Sequence, residues 1–497
     1  MRPIEVVLSV ANLLAFLSLI LPLPANLNWL RYAAPITLVI AVTQIVVEGY
    51  RWQMIPAYAL AVIFVVIWLL GTAVPNSIHI NRFMAVIGGI LGAVVMFTAI
   101  VLPIALPIFH FPKPIGTYAI GTMTYHWVDI SRPELFTADP ADHRELMAQV
   151  WYPAQDKPSA PRAPYIEDAD SVTPVLARLT HFPAFLLSHF KYVTTNAVES
   201  APITADQPSY PVLIFLSGLD GFRQVNTFQI EALVSQGYIV VGLDQPGAVA
   251  LTRFPDGREV SGMPRDDIQP LIHQSVEAAP IAPTLLGNPM PEGIIPYFAA
   301  DVSFTLDQLA ALNQSDPNHI LTGRIDLERA GVFGVSLGGI NAAEACLKDV
   351  RLKACLIMDV FMSADVVKDG LKQPAMWITR DADTMRLERE RAGGWTEKDI
   401  EEHQTTMRAV YESLPGDGYY LQIPNMFHLN LTDFPYWSPF MLQLGMTGPI
   451  DSQRIFDIVN AYTVAFFDKH LKGQPVPLLD ESSPQYPEVI FETKDRS

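Results

Sequence analysis

The first 110 residues carry few charges and are divided into four long apolar stretches. Only six charged side chains lie in this part of the chain, and the apolar stretches cover residues 6–23, 32–47, 55–74 and 83–108. A helix needs about 20 apolar residues to cross a bilayer, and three of the stretches reach or approach that length. They are apolar on all sides, unlike the amphipathic helices of a soluble core. The pattern predicts a multi-pass membrane domain of about four helices over residues 1–112, in contact with the lipid bilayer through residues 1–110.

The orientation of this domain is not decided by its charges. A cleaved signal peptide would explain the first stretch but not the three that follow. With four spans, the N-terminus and the rest of the chain lie on one side, which carries Arg2, Arg51 and Lys113, whereas the other side carries Arg31 and Arg82. Three positive charges against two do not settle the orientation. The side that the remaining chain faces stays open.

From residue 113 onward, short apolar runs rich in β-forming residues alternate with helical patterns. The runs are almost continuously apolar, as expected for a mostly parallel sheet that helices cover on both faces. We therefore predict one α/β domain over residues 113–497. Two irregular stretches rich in Pro, Gly and polar residues interrupt the alternation near residues 158–206 and 248–296, and we expect them to form a cap. The apolar runs lie at residues 147–152, 211–216, 238–243, 331–335, 352–358, 374–379 and 419–423.

Composition narrows the possible partners and cofactors. The formal net charge is −18, and an acidic surface argues against nucleic acid as a partner. The sequence has neither the His-Glu-x-x-His zinc pattern nor a nucleotide-binding glycine fingerprint after its first strands, so we expect no metal and no organic cofactor. The two cysteines, Cys346 and Cys355, show no disulfide framework, and we expect them to pack in the core.

A Gly-x-Ser-x-Gly pattern follows the apolar run at 331–335 and precedes a helical pattern. A strand-to-helix turn this tight holds its serine in a strained conformation above the sheet. Gly334 and Gly338 supply the room that side chains would otherwise fill. The N–H of Leu337 then faces the same point from the helix N-terminus. An ordinary serine in a glycine-rich turn is the alternative, but the flanking strand and helix favour Ser336 as a nucleophile.

A serine nucleophile needs a base, and His428 is the best placed of the eleven histidines. It lies on a loop directly after the last predicted strand. His470 lies within the terminal helical pattern, where a solvated or capping role suits it better. His403 lies in a charged helical pattern, and we expect it at the surface.

Two positions offer the acid that would orient this histidine. Asp359 ends the strand after the nucleophile helix, and Asp381 and Asp383 follow the next strand. Both positions lie at the carboxyl ends of predicted parallel strands, where catalytic groups gather. An aspartate there can also simply cap a turn. The residues alone leave the choice open.

Donors for a substrate oxyanion are expected in the loop at residues 217–223. This glycine-containing loop directly follows a predicted strand. Such a loop can turn a backbone N–H toward the serine and stabilise negative charge on a substrate oxygen. We expect the N–H groups of Leu219 and Leu337 to be the two donors. The alternative is that the glycines only shape the loop.

These stretches together resemble the α/β-hydrolase superfamily, and within it the platelet-activating factor acetylhydrolase group and its bacterial relatives. The resemblance implies an α/β-hydrolase fold in which Asp359, rather than Asp381 or Asp383, is the acid, and in which Leu219 is an oxyanion donor. It covers roughly residues 113–475 and leaves the membrane segment outside. The stretches that carry it are residues 216–223, 334–339, 356–359 and 428–434, with a similar closing helix at 465–471.

The resulting functional expectation is a membrane-anchored serine carboxylic ester hydrolase. It would act on lipid or small esters through a Ser-His-Asp triad and an acyl-enzyme. The family often has histidine where this chain has Ser217 and Val335, and because both positions border the pocket, the substrate stays open. A peptidase or acyltransferase with the same triad is the main rival. A non-catalytic membrane sensor or scaffold is the other alternative, although it would not need all three triad residues.

Overall fold

A computed structural model describes residues 1–21, 29, 32–73 and 82–494. Arg31, which entered the charge comparison, and the ends of the apolar stretches at residues 22–23 and 74 lie outside the described residues. Contacts divide the chain into two compact units. The first unit contains Met1–Phe109, Ser188–Tyr192 and Tyr436–Phe440. The second contains His110–Leu187, Val193–Pro435 and Met441–Ser497.

Four apolar helices make up most of the first unit. They are α1 (Pro3–Ile20), α2 (Ala33–Glu48), α3 (Ile55–Ala73) and α4 (Arg82–Ala105). Helices α1 and α4 are long and apolar enough to cross a membrane, as is α3 together with the 3-10 turn before it, Trp52–Met54. The remaining predicted span, α2, is also apolar, but its 16 residues make it shorter than the other three. Many large apolar side chains on these helices are exposed, including Val46 at 78% and Phe83 at 71%.

Several buried polar side chains inside this unit are paired. Glu5 in α1 is fully buried and lies 2.7 Å from the guanidinium of Arg51 and 2.8 Å from that of Arg2. The side-chain amide of Asn12 donates to the carbonyl oxygen of Ala57 in α3 at 3.0 Å. A buried polar group without a partner is costly, so these pairs favour one packing of α1 against its neighbours.

A sheet of ten strands forms the centre of the second unit. Together with four strands of two small hairpins, the strands in chain order are β1 (Ala119–Pro133), β2 (His143–Ala154), β3 (Val198–Glu199), β4 (Tyr210–Leu216), β5 (Ile239–Asp244), β6 (Leu251–Arg253), β7 (Glu259–Ser261), β8 (Thr284–Leu285), β9 (Asn288–Pro289), β10 (Ile325–Val335), β11 (Leu352–Met358), β12 (Ala375–Thr379), β13 (Gly418–Gln422) and β14 (Ile490–Lys494). The order across the large sheet is β14-β13-β12-β11-β10-β4-β5-β2-β1-β3, and β6–β7 and β8–β9 form two small hairpins.

The helices of this unit connect the strands and also occur in the two irregular stretches. They are α5 (Ala169–Leu179), α6 (Thr227–Ser235), α7 (Arg265–Gln274), α8 (Ile295–Gln314), α9 (Leu337–Lys348), α10 (Ala364–Asp369), α11 (Ala382–Ala392), α12 (Glu397–Ser413), α13 (Phe434–Trp437) and α14 (Ser452–Lys472). Helix α13 ends among the residues assigned to the first unit. Helix α5 lies within residues 158–206, and α7 with the small hairpins lies within residues 248–296.

The six strands from β5 to β13 across the middle of the sheet are parallel, as the alternating pattern predicts. All seven apolar runs named above coincide with strands of this sheet. The sequence pattern missed β1, which pairs antiparallel with β2, and β14, which pairs antiparallel with β13. Much of β1 alternates between buried and exposed side chains, so it lacks the continuous apolar run of a strand covered on both faces.

Strand β10 shows how helices cover both faces of the sheet. Side chains alternate between the faces along a strand. On one face, the rings of Phe333 and Phe467 in α14 have centroids 6.1 Å apart. On the other, Val332 belongs to the core cluster that α8 and α9 complete. Both layers are buried, and β10 is therefore a central strand of the core.

The two cysteines are joined in a disulfide, and our expectation of packing without a bond is wrong. Cys346 lies in α9 and Cys355 in β11, with 6.6 Å between their Cα atoms. That separation falls in the range that a disulfide can bridge. A spacing of nine residues gave no sign of the bond, because only the packing of α9 on β11 brings the two side chains together.

This bond can be tested by counting thiols. Protein purified without reductant and then unfolded should show no free thiol, and a non-reducing digest should contain peptides that join Cys346 to Cys355. Reduction should lower the free energy of unfolding by on the order of 2–3 kcal/mol, because the bond closes a short loop. A variant with alanine at both positions should not respond to reductant. Two free thiols in the unreduced, unfolded protein would contradict the structure.

Candidate active site

The turn between β10 and α9 holds Ser336 in a conformation that few residues with side chains adopt, with φ 56° and ψ −127°. Two glycines make this turn possible. A Cβ on Gly334 would lie 2.2 Å from the carbonyl oxygen of Gly338, and a Cβ on Gly338 would lie 2.0 Å from that of Leu216. Leu337 is the first residue of α9, and N–H groups in a first helical turn have no acceptor within their helix. Ser336 thus lies in a tight turn between a strand and a helix.

The loop at residues 217–223 lies against Ser336. A Cβ on Gly218 would be 3.0 Å from the Cβ of Ser336, so only a glycine allows this approach without displacement. The N–H of Gly221 donates to the carbonyl oxygen of Gly218 at 3.0 Å. These contacts close a tight turn that contains Leu219, the predicted oxyanion donor, beside the serine.

Buried contacts hold this loop in place. The N–H of Asp220 donates to the carbonyl oxygen of Ala248 at 2.9 Å. The N–H of Arg223 donates to the carboxylate of Asp244 at 2.7 Å, and the guanidinium of Arg223 pairs with the same carboxylate. Since Asp244 ends β5, the loop is fixed to the neighbouring strand of the sheet.

His428 and Asp359 are in direct contact. Nδ1 of His428 lies 2.5 Å from Oδ2 of Asp359. Asp359 directly follows β11 with φ 54°, and its N–H donates to the carbonyl oxygen of Ile378 at 3.0 Å. The side chain of Asp359 is fully buried, whereas that of His428 is 19% exposed. The contact therefore joins a buried carboxylate to an imidazole that solvent can reach.

The competing residues have other partners. Asp381 caps α11 and accepts from the N–H of Thr384 at 2.9 Å. Asp383 is 92% exposed and pairs with Arg386 at 2.8 Å. His470 lies 3.1 Å from the hydroxyl of Tyr419. Of the three aspartates that the sequence left open, Asp359 is the one that contacts His428.

Two charged residues beside the site were missed by the sequence analysis. Arg380 follows β12 and is fully buried, with Nε 2.8 Å from Oδ2 of Asp359. Its Nη1 pairs with Glu388 in α11. An oxygen of Glu388 in turn accepts from the backbone N–H of His428 at 3.3 Å. Arg380 directly follows a buried strand, and this position could have marked it as a candidate. The sequence analysis used that criterion only for the aspartates that follow, Asp381 and Asp383.

Burial and the neighbouring positive charge shift the pKa of Asp359 in opposite directions. Burial by itself would raise the pKa of this carboxyl. The positive charge of Arg380 and, to a smaller extent, the hydrogen bond with His428 overcome that effect and hold the pKa well below its ordinary value. Asp359 is therefore ionised at neutral pH.

His403 is not at the surface, and that expectation is wrong. It is fully buried in α12, with Nε2 3.5 Å from Oδ1 of Asp359. Burial is the main cause that lowers its pKa to about 4, so this imidazole is neutral at pH 7. The ring of Trp395 lies 5.9 Å from the rings of both His403 and His428 and 5.1 Å from the guanidinium carbon of Arg380. Helix α12 is rich in charged residues, but one of its faces, which includes His403, is buried.

Ser336 and His428 line one pocket of about 320 Å³. The irregular stretches supply part of its wall, from α5 in the first stretch and from α7 in the second. Most of the remaining wall is apolar. The other lining residues are Leu176, Leu179, Thr180, Gly218, Leu219, Asp220, Gly221, Val225, Arg265, Gln269, Val335, Trp395, Leu429, Thr432, Phe434 and Met446. Within the described part of the chain, no group of three or more His, Cys, Asp or Glu side chains has the arrangement of a metal site.

Comparison with known proteins identifies the family. The family described as platelet-activating factor acetylhydrolase, isoform II, matches residues 107–254 and 309–476. The chain belongs to this family. It is an α/β-hydrolase and a carboxylic ester hydrolase.

Individual relatives agree with this assignment. The platelet-activating factor acetylhydrolase of Gallus gallus is 22% identical over 392 residues, which cover 73% of this chain and 84% of that protein. A probable 1-alkyl-2-acetylglycerophosphocholine esterase of Arthroderma benhamiae is 24% identical over 417 residues, covering 77% of this chain and 94% of that protein. The solved structure of a ferulic acid esterase from Streptomyces cinnamoneus is 26% identical with a TM-score of 0.59, covering 78% of this chain and 99% of its own.

The contact between His428 and Asp359 generates a direct test. Asp359→Asn keeps the shape of the side chain but removes the charge that orients the imidazole, and we expect kcat for ester hydrolysis to fall by roughly 10³- to 10⁴-fold. Asp381→Asn and Asp383→Asn should change kcat little, because those side chains cap a helix or face solvent. Steady-state kinetics on the three variants, with circular dichroism to verify folding, gives the comparison. A large loss at Asp381 or Asp383 with an active Asp359→Asn would overturn the interpretation of the contact.

Proposed function

We propose that this chain is a membrane-anchored serine ester hydrolase in which Ser336, His428 and Asp359 act as nucleophile, base and acid. The observation that carries the proposal is the 2.5 Å contact between His428 Nδ1 and Asp359 Oδ2 beside a pocket that Ser336 also lines. A histidine with a carboxylate on one nitrogen and a serine in the same pocket is the arrangement that activates a hydroxyl for acyl transfer.

In the proposed reaction, Nδ1–H of His428 donates to Asp359, which leaves Nε2 free to accept the proton of Ser336. The serine oxygen attacks the ester carbonyl, and the N–H groups of Leu219 and Leu337 stabilise the negative charge that develops on the carbonyl oxygen. His428 then gives its proton to the leaving alcohol as the acyl-enzyme forms. A water molecule, activated by the same imidazole, releases the acid and restores Ser336.

The pocket supports a small or short-chain acyl group on an apolar substrate. Its volume is about 320 Å³, and its wall is largely made of apolar side chains. On this wall Arg265 and Asp220 form an ion pair at 2.7 Å, and these opposite charges together present little net charge to a substrate. Two relatives are named for acetyl esters of lipids and a third for ferulic acid esters. We propose lipid or small esters with short acyl groups as substrates. The comparisons favour ester hydrolysis over the peptidase, acyltransferase and scaffold alternatives, since two of the three proteins are named as esterases and the third as an acetylhydrolase.

We also propose that α1, α2, α3 and α4 anchor the enzyme in a bilayer. Three of these helices have the length and composition to span it, and α2 would complete an even number of spans. Their exposed apolar surface supports a lipid environment, because soluble proteins rarely expose apolar patches of that extent. The disulfide between Cys346 and Cys355 supports a catalytic domain on the oxidising side of the membrane.

The nucleophile has a simple test. Ser336→Ala should fold normally and lose hydrolysis of p-nitrophenyl acetate by on the order of 10⁴-fold or more, because the attacking hydroxyl is gone. Ser482→Ala, at an exposed serine far along the chain, is the matched control and should retain full activity. Near-normal turnover by Ser336→Ala would refute the proposed mechanism.

The membrane anchor can be tested separately. The expressed chain should stay in the membrane pellet after washing with sodium carbonate at high pH, since spanning helices are not released by loss of ionic contacts. Protease added to intact spheroplasts of a bacterial host should digest residues 113–497 if this part lies on the oxidising side. Release into the carbonate supernatant would contradict the anchor, and protection from protease would contradict only the orientation.

A further inference from the structure

Asp359 and His428 are in direct contact, and Arg380 and Glu388 connect them a second time. The guanidinium of Arg380 contacts both carboxylate oxygens of Asp359, with Nε 3.0 Å from Oδ1 and 2.8 Å from Oδ2. Its other arm pairs with Glu388, and the oxygens of Glu388 lie 3.3 and 3.4 Å from the backbone nitrogen of His428. A continuous path of charged contacts therefore runs from the acid to the main chain of the base.

The residues of this path are buried, and contacts from several elements hold them in place. Arg380 has no exposed surface, and Glu388 is 8% exposed. The carbonyl oxygen of Arg380 accepts from the side-chain amide of Gln404 in α12 at 2.9 Å. Trp395 lies over the guanidinium, with 5.1 Å between its ring centroid and Cζ. Because a guanidinium is planar and presents donors in a fixed fork, it can hold two carboxylates in defined positions.

We propose that Arg380 and Glu388 form a positioning pair that sets both the geometry and the acid limit of catalysis. This inference rests on the proposed roles of Ser336, His428 and Asp359. Glu388 fixes the loop that carries His428, and Arg380 fixes Asp359. Arg380 also places a positive charge near the imidazole that opposes a second positive charge there, while Glu388 favours it.

The charged and titratable groups of this buried path come from four elements. Asp359 follows β11, Arg380 follows β12, Glu388 lies in α11 and His403 lies in α12. His403 stays neutral over the working range, because burial lowers its pKa to about 4. The path then carries two carboxylates and one guanidinium, while Asp220 and Arg265, which line the same pocket as His428, pair with each other at 2.7 Å. Removing the charge of Arg380 or of Glu388 changes the net charge beside the imidazole, and the sign of that change is known in each case.

The sign of each change follows from the requirement for a neutral base. Hydrolysis is lost in acid when the imidazole takes up a proton. Without the positive charge of Arg380, that proton is bound more easily, so the acid limb of kcat/KM should move to higher pH. Without the negative charge of Glu388, it is bound less easily, and the limb should move to lower pH. The two shifts should be opposite in direction, because the two removed charges have opposite signs.

The experiment measures kcat, KM and the pH dependence of kcat/KM for a water-soluble ester with the full chain in detergent. The variants are Arg380→Met, Arg380→Lys, Glu388→Gln and the double variant Arg380→Met with Glu388→Gln. Arg386→Met is the matched control, because this arginine lies in the same helix as Glu388 but pairs with Asp383 and Glu397 at the surface. Ser336→Ala in the same assay shows whether hydrolysis depends on the proposed nucleophile at all.

We expect opposite shifts of the acid limb for Arg380→Met and Glu388→Gln, with kcat lowered by roughly 10- to 100-fold and KM nearly unchanged. Arg380→Lys should restore the position of the acid limb, because the charge returns, but not the full kcat, because an ammonium lacks the fork. Arg386→Met should behave as the original chain. The double variant should lie close to the original pH profile.

Two results would overturn the inference. One is an unchanged acid limb in both Glu388→Gln and Arg380→Met while kcat falls, which would indicate a purely structural role. The other is a shift of the same sign in Arg380→Met and Glu388→Gln. If Arg380→Met does not fold, Glu388→Gln still decides, because its limb must move to lower pH. Activity that survives Ser336→Ala would refute the proposed function itself, which separates the two failures.

Discussion

The site depends on a constraint of the sheet, in which neighbouring parallel strands end side by side. Strand β10 lies between β4 and β11, and β12 follows. The register pairs Gly334 with Leu216 on one side and Val335 with Met358 on the other. The residues that follow these positions are therefore brought together at one edge of the sheet. A shift of register in any of these strands would separate Ser336 from the loop at residues 217–223 or from Asp359.

Burial of charge is the second constraint, and it explains the surroundings of Asp359. A carboxylate removed from water is costly unless partners replace the lost hydration. Asp359 has such partners on two sides, namely His428 Nδ1 and the guanidinium of Arg380. The guanidinium is itself balanced by Glu388. The Asp359 carboxylate is thus kept ionised in the interior, while His428 remains partly open to the pocket.

Local features of the sequence were enough to predict the elbow, whereas contacts between distant segments were not. Gly334 and Gly338 identify the turn at Ser336, because their spacing has a direct steric cause. The choice between Asp359, Asp381 and Asp383 required either a family resemblance or the fold, since all three follow strands that end at the same edge. Arg380, Glu388 and His403 come from three elements, and no local pattern relates them. The same holds for the bond between Cys346 and Cys355, which depends on how α9 packs on β11.

The central claim is that Ser336 is the one activated nucleophile of this chain. The most direct measurement is labelling of the folded protein with a fluorophosphonate, followed by mass spectrometry of the digested chain. We expect one adduct per chain, located on Ser336, and no adduct when the protein is unfolded before the reagent is added. An adduct on another residue of the folded protein, or a folded and hydrolytically active protein that stays unlabelled at Ser336, would contradict it.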